Sequence, residues 1–247
     1  MTPIIMVHGA FCGGWTFDSF RQSFEAKGHT CLAPDLRGHA NGGQPAGASM
    51  SHYADDLAEL VRSQAKPPIL IGHSLGGLVA QMTAAKVPVA GLILLAPSAP
   101  WGIQGGTMAE AISAVSLYAL GPFWSQAVAP DYSLAKQYSL NRMPRDERRA
   151  IYARMVPESG RALWETLNWW LDPFMTTQVA TYRIKAPVLG VAGGQDQIHP
   201  PATVKQTVAR LSGELKVFDE MSHWLPGEPG HESVAAACLD WIAAKRL

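Results

Sequence analysis

The sequence predicts an α/β domain: a mostly or wholly parallel sheet of about six strands, helices on both faces, and a helical insertion. Three observations predict it. Short apolar runs alternate with helical patterns along most of the 247 residues. The stretch 99–185 breaks that rhythm. Outside it, Ser, Asp and His stand in turns directly after apolar runs, where an open α/β sheet places its ligand crevice.

The elements follow in order. Ile4 to Val7 is a continuous apolar run, the pattern of a strand buried on both faces. Trp15 to Lys27 reads as a helix closed by Gly28, and Thr30 to Ala33 as the second strand. Tyr53, Leu57, Leu60 and Val61 recur at helical spacing before the third strand, Ile69 to Ile71. A helix opening at Ser74 runs through Lys86, and Val89 to Leu95 follows as a strand. Val188 to Ala192 resumes the alternation after the insertion. Pro200-Pro201 then starts a helix carrying Val204, Val208 and Leu211 and closed by Gly213. Leu215 to Phe218 is the last strand, and Val234, Cys238, Trp241 and Ile242 mark a final amphipathic helix.

Within 99–185 no strand is expected. Met108 to Leu120, Arg145 to Val156 and Ser159 to Leu171 read as helices, and five of the chain's eight tryptophans lie there. A helical insertion explains so long an interval better than a structureless loop. The expected division is a core of 1–98 and 186–247 with a cap over 99–185.

Composition removes several classes of function. Lys+Arg and Asp+Glu are 20 each and cancel, so no field of one sign attracts nucleic acid or an anionic membrane. Four arginines in 141–149 are interleaved with acids and read as a solvated face. The opening MTPIIMVHGA lacks a basic segment and a long apolar run, and no stretch is long enough to span a bilayer. Cys12, Cys31 and Cys238 are odd in number and far apart, which suits free thiols in a reducing compartment, so the expected location is the cytoplasm. No metal-ligand spacing and no phosphate-binding loop appears, so neither metal nor cofactor is expected.

ILIGHSLGG, residues 69–77, runs a strand into a glycine-rich turn that carries Ser74. A serine in so tight a turn needs neighbours without Cβ atoms, which Gly72 and Gly76 supply. Serine is a weak nucleophile unless a base takes its proton and a third group orients that base. Of eight histidines, His223 follows the last strand directly, and Asp196 follows the fifth. His73 reads as structural because it neighbours the serine and points away. His199 competes only if the Asp196 loop folds back, His231 lies in a Pro- and Gly-rich turn, and Asp219 is too near His223 in sequence. Acyl transfer also needs oxyanion donors, for which the Leu75 N–H and, from the turn after the first strand, the Ala10 N–H are the candidates. Phe11, Trp101 and Trp224 are the aromatic residues expected to touch substrate.

HGAF (8–11), GHSLGG (72–77), GGQD (193–196) and SHW (222–224) together resemble the α/β-hydrolase superfamily in order and in placement after strands. DLRGH (35–39) is similar to the D-x-x-G-H turn after the second strand of these cores, where its role is structural. The resemblance implies an α/β-hydrolase fold whose residues 99–185 form the variable cap. The chain departs from that pattern in starting at the strand that leads into His8-Gly9, so the two antiparallel strands opening the eight-stranded version are expected to be missing. The first turn, HGAFCGGW, is similar to the branch holding small-ester and methyl-ester hydrolases and hydroxynitrile lyases. The lyases carry Thr and Lys where this chain has Gly9 and Trp224, which disfavours cyanide chemistry. Ser74 argues against the dehalogenases and epoxide hydrolases of this fold, which use an Asp nucleophile.

The expectation is a serine esterase with Ser74 as nucleophile, His223 as base and Asp196 as its orienter. It would act on small to medium hydrophobic esters, lactones or polyesters, with no nucleic-acid or membrane partner and an oligomeric state left open. A small-molecule receptor with slow turnover and a cofactor-free perhydrolase are the alternatives.

Overall fold

The computed structural model describes residues 1–40, 44–104, 108, 112, 115, 118 and 121–247. Six strands form one parallel sheet: β1 (Ile4–Val7), β2 (Cys31–Leu32), β3 (Ile69–His73), β4 (Gly91–Leu95), β7 (Val188–Gly193) and β8 (Glu214–Phe218). Their order is β2-β1-β3-β4-β7-β8. Successive side chains of a strand point to opposite faces, and the core divides accordingly. Ile5, Val7, Leu70, Leu92 and Leu94 pack under helices α2 (Met50–Arg62) and α3 (Leu75–Ala84), meeting Tyr53, Leu57 and Leu78. Ile4, Met6, Ile71, Ile93 and Leu95 face α1 (Asp18–Glu25) and the C-terminal helix, meeting Phe20, Phe24, Cys238 and Trp241. Every residue of β1, β3, β4 and β7 is buried, which is why these strands read as unbroken apolar runs.

Local chemistry sets the ends of the helices. Ser49 caps α2, its hydroxyl accepting from the Ser51 N–H, while His52 Nδ1 accepts from the Ser49 N–H at 3.2 Å. Among the described residues no helix is long and apolar enough to cross a membrane.

The interval between β4 and β7 holds α4 (Arg145–Arg154) and α5 (Gly160–Leu167). Met108, Ile112, Val115 and Tyr118 are helical, and the rest of the expected helix Met108 to Leu120 lies outside the described residues. The expectation of no strand here is corrected. β5 (Ala127–Val128) pairs antiparallel with β6 (Glu158–Ser159). Runs of two residues are too short to show a periodicity.

Two buried carboxylates join this interval to the sheet domain. Glu165 of α5 accepts from the Ser49 hydroxyl and, at 2.8 Å, from the Met50 N–H at the start of α2. Negative charge is favoured at a helix N-terminus, where backbone donors lack partners. Glu158 reaches Tyr53 of α2, whose hydroxyl donates to Oε1 at 2.7 Å.

Candidate active site

Parallel register aligns the strand ends that matter. Val7 pairs with Gly72, His73 with Leu95, and Gly193 with Phe218. The residues that follow these strands therefore emerge along one edge of the sheet. Between the end of β3 and the start of α3 stands a single residue, Ser74, with φ 52 and ψ −122. A non-glycine residue in this region costs about 1–3 kcal/mol and persists only where its surroundings over-determine it. Here the Ser74 N–H donates to Leu95 O at 3.0 Å, and its carbonyl accepts from Gly77 and Ser98, both at 2.9 Å. A Cβ on Gly72 would lie 2.4 Å from Gly76 O, so the turn closes only around glycine. The Ser74 side chain is half-buried.

Asp196 lies just past β7 and is buried. Its Oδ1 accepts from the N–H groups of Ile198 and His199 at 2.8 and 2.9 Å, and its Oδ2 faces His223 Nδ1 at 2.9 Å. An ionised carboxylate only accepts, so Nδ1 carries the proton and the lone pair of a neutral ring is on Nε2. Burial works against the Asp196 charge. His223 and the backbone donors outweigh it and hold the carboxyl at about 2, below its ordinary 3.8. A depressed carboxylate contributes stability that is present above its unfolded value and lost as pH falls through its folded one. The stability difference between the protein and Asp196→Asn should therefore narrow by about 2 kcal/mol between pH 5 and pH 2. Urea unfolding of both proteins at stepped pH measures this, and a constant difference would refute it.

The loop carrying His223 is held from both sides. Ser222 donates from its N–H and, at 2.7 Å, from its hydroxyl to Glu228, whose carboxyl burial pushes up. His73 Nε2–H donates to the His223 carbonyl at 2.8 Å. His73 is fully enclosed, and desolvation keeps it neutral, down to about 3. The rivals stand elsewhere. His199 Nε2 faces Ser98 Oγ at 3.0 Å, with its ring centroid 5.3 Å from that of His223. His231 opens the C-terminal helix (His231–Lys245), and Asp219 is exposed.

The turn after β1 lies against the serine. A Cβ on Gly9 would come 3.1 Å from Ser74 Cβ. His8 ties this turn to the DLRGH segment: Nδ1–H donates to Gly9 O at 2.8 Å, and Nε2 accepts from the Leu36 N–H at 2.9 Å. Burial lowers His8 to about 4, so it serves as a neutral strut. Ala10 follows Gly9, and Phe11 has φ 64. Leu75 opens α3, so its N–H precedes the first helical turn. Of the expected aromatic contacts, Phe11 packs beside Phe123, Val128, Leu163 and Trp164. Trp101 stands edge-on to Trp169, with centroids 5.5 Å apart. Trp224 is buried against Cys12, Leu140, Met143 and Trp15.

Glu228 and Glu158 were not found from sequence. Neither belongs to a motif that follows a strand, and only the folded chain shows what they hold. Among the described residues no cluster of His, Cys, Asp or Glu is arranged to hold a metal.

Known proteins bear on this arrangement. The chain is 39% identical to a pyrethroid hydrolase of Sphingobium wenxiniae over 99 residues, which span 38% of this chain and 35% of that one. It is 24% identical to a carbendazim hydrolyzing esterase of a Nocardioides species, covering 96% of this chain and 92% of the other. A methylesterase structure from Arabidopsis superposes with a TM-score of 0.77 at 18% identity, covering 98% of this chain and 99% of that one, which speaks to the fold. The model of the alpha/beta hydrolase family matches residues 4–237, the whole sheet and everything inserted into it, and the chain belongs to that family.

Proposed function

We propose that this protein is a carboxylic ester hydrolase that works through an acyl-enzyme on Ser74. The observation that carries the reading is the Asp196–His223 pair. Its 2.9 Å contact at Nδ1 leaves Nε2 as the basic nitrogen, on the strand edge where Ser74 stands in its strained turn. In the reaction Ser74 Oγ attacks the ester carbonyl while His223 Nε2 takes the hydroxyl proton. Charge passes to the carbonyl oxygen, where the Ala10 and Leu75 N–H groups receive it, each donor contributing about 10²–10³ in rate. His223 returns the proton to the departing alcohol, then draws one from the water that frees the acid.

Residues 99–185 serve as the cap in this reading, and their apolar side chains favour uncharged, hydrophobic esters. Similarity to a pyrethroid hydrolase and to a monoacylglycerol lipase of Mycolicibacterium smegmatis supports that class. Similarity to a salicylic acid-binding protein of Nicotiana tabacum, 33% identical over 88 residues, favours a receptor with slow turnover as the competing reading.

A fluorophosphonate probe followed by peptide mass spectrometry tests the proposal. Stoichiometric modification of Ser74 is expected, together with turnover of p-nitrophenyl acetate and butyrate. Modification elsewhere, or none, would sink it. Tight binding of an aromatic acid with negligible turnover across an ester panel would favour the receptor.

A further inference from the structure

The Phe11 backbone is gripped from the cap at both of its polar atoms. Its carbonyl accepts from the Val156 N–H at 2.9 Å, and its N–H donates to Glu158 Oε2 at 3.4 Å. Phe11 has φ 64, a conformation that L side chains rarely adopt and that its surroundings must impose. Ala10, whose N–H must point at the oxyanion, is the preceding residue, so the peptide that ends in the Phe11 N–H begins at Ala10.

Glu158 is anchored firmly enough to impose that conformation. It is fully buried. Oε1 accepts from the Tyr53 hydroxyl and the Ser159 N–H, both at 2.7 Å. Oε2 meets His39 Nε2 at 3.1 Å, while His39 Nδ1 faces the Arg37 carbonyl at 3.2 Å. Both ring nitrogens of His39 therefore face acceptors and both carry protons, which makes the contact a buried ion pair. Breaking one side of such a pair strands the other charge, so the carboxylate is held in place. The mechanism outlined above uses none of these groups.

We infer that Glu158 is a positioning residue for ester cleavage: from the cap it fixes the Phe11 backbone and thereby aims the Ala10 N–H at the transition-state oxygen. This rests on the Ser74 reading of the site. It makes the cap part of the catalytic geometry as well as a cover over the substrate.

Glu158→Gln tests it, because an amide offers one acceptor where the carboxylate offers two. Either the Phe11 or the Ser159 N–H then faces a donor. With rates expressed per Ser74 titrated by fluorophosphonate, kcat for p-nitrophenyl butyrate should fall about 10–100-fold while KM stays within about threefold. Affinity for a trifluoromethyl ketone, which presents a tetrahedral oxyanion, should fall in step. Tyr53→Phe removes one donor to the distal oxygen and should give a smaller loss of the same kind. Glu165→Gln is the control for cap docking, since Glu165 makes its hydrogen bonds to Ser49, Met50 and Arg161 while Glu158 holds the Phe11 N–H. It should lower the melting temperature and leave kcat per titrated site within about twofold. If Glu158→Gln kept the parental kcat, raised only KM, or merely matched Glu165→Gln, the inference would be wrong. Should Glu158→Gln not fold, an unchanged kcat and ketone affinity in Tyr53→Phe would count against it in the same way. Failure of Ser74 to label, or full activity in Ser74→Ala, would overturn the parent reading instead.

Discussion

Ser74→Ala is expected to lower kcat for p-nitrophenyl butyrate by about 10⁵-fold while leaving the fold intact. The change deletes one oxygen. The backbone bonds that hold the turn, from the Ser74 N–H to Leu95 and from Gly77 and Ser98 to the Ser74 carbonyl, involve no side-chain atom and persist. Alanine meets the same backbone cost as serine at φ 52, so the melting temperature should move by no more than about 2 °C. On the proposed mechanism, what is lost is the covalent route. Without Oγ, His223 has no proton to take, and Asp196 orients a base with nothing to activate. Members of such a unit fail together, so adding His223→Ala to Ser74→Ala should cost less than about threefold more. Residual turnover would come from the Ala10 and Leu75 donors stabilising attack by water. Single-turnover assays of the two variants and the parent provide the measurement. A single variant retaining more than a tenth of parental activity would show that another residue carries the acyl group.

What could be read in the sequence depended on how local its cause was. β1 was expected at Ile4 to Val7 and lies there, because four apolar residues buried on both faces leave no ambiguity. Val89 and Ala90 were placed in β4 as apolar residues, yet they precede its ladder, which starts at Gly91. β8 was expected at Leu215 to Phe218 and begins one residue earlier, at Glu214; Lys216 and Val217 are exposed, since this strand forms an edge of the sheet. Ser74, Asp196 and His223 could be singled out because each sits on the connection that follows a strand, within five residues of its end. Parallel topology then brings the carboxyl ends of strands far apart in sequence to one side of the sheet. Glu158 offers no such signal. It meets His39 across 119 residues, and only the path of the chain between β4 and β7 brings them together. The order of strands positions the chemistry, while the insertion supplies contacts that no periodicity records.

Gly76→Ala is expected to remove more than about 4 kcal/mol of stability and leave little soluble protein. A Cβ at this position would lie 2.3 Å from both the Val7 and the His8 carbonyl oxygens. Those atoms are backbone at the end of β1, which pairs with β3 through Val7 and Gly72, so they cannot swing aside like a flexible side chain. Relief requires α3 to move off the sheet or the His8 to Phe11 turn to shift. Either movement separates the Leu75 and Ala10 donors, so any folded fraction should also lose activity. Gly47→Ala separates this contact effect from the conformational cost of glycine replacement. Gly47 has φ 75, with nothing within 4 Å of a Cβ, so alanine there meets backbone strain alone, about 1–2 kcal/mol. Denaturant unfolding of the two variants should therefore differ by at least about 2 kcal/mol, with Gly76→Ala the weaker. If the two melted together, the close approach of α3 to β1 would not be what demands glycine. The tight turn at Ser74 would then owe its shape to the Leu95, Gly77 and Ser98 hydrogen bonds alone.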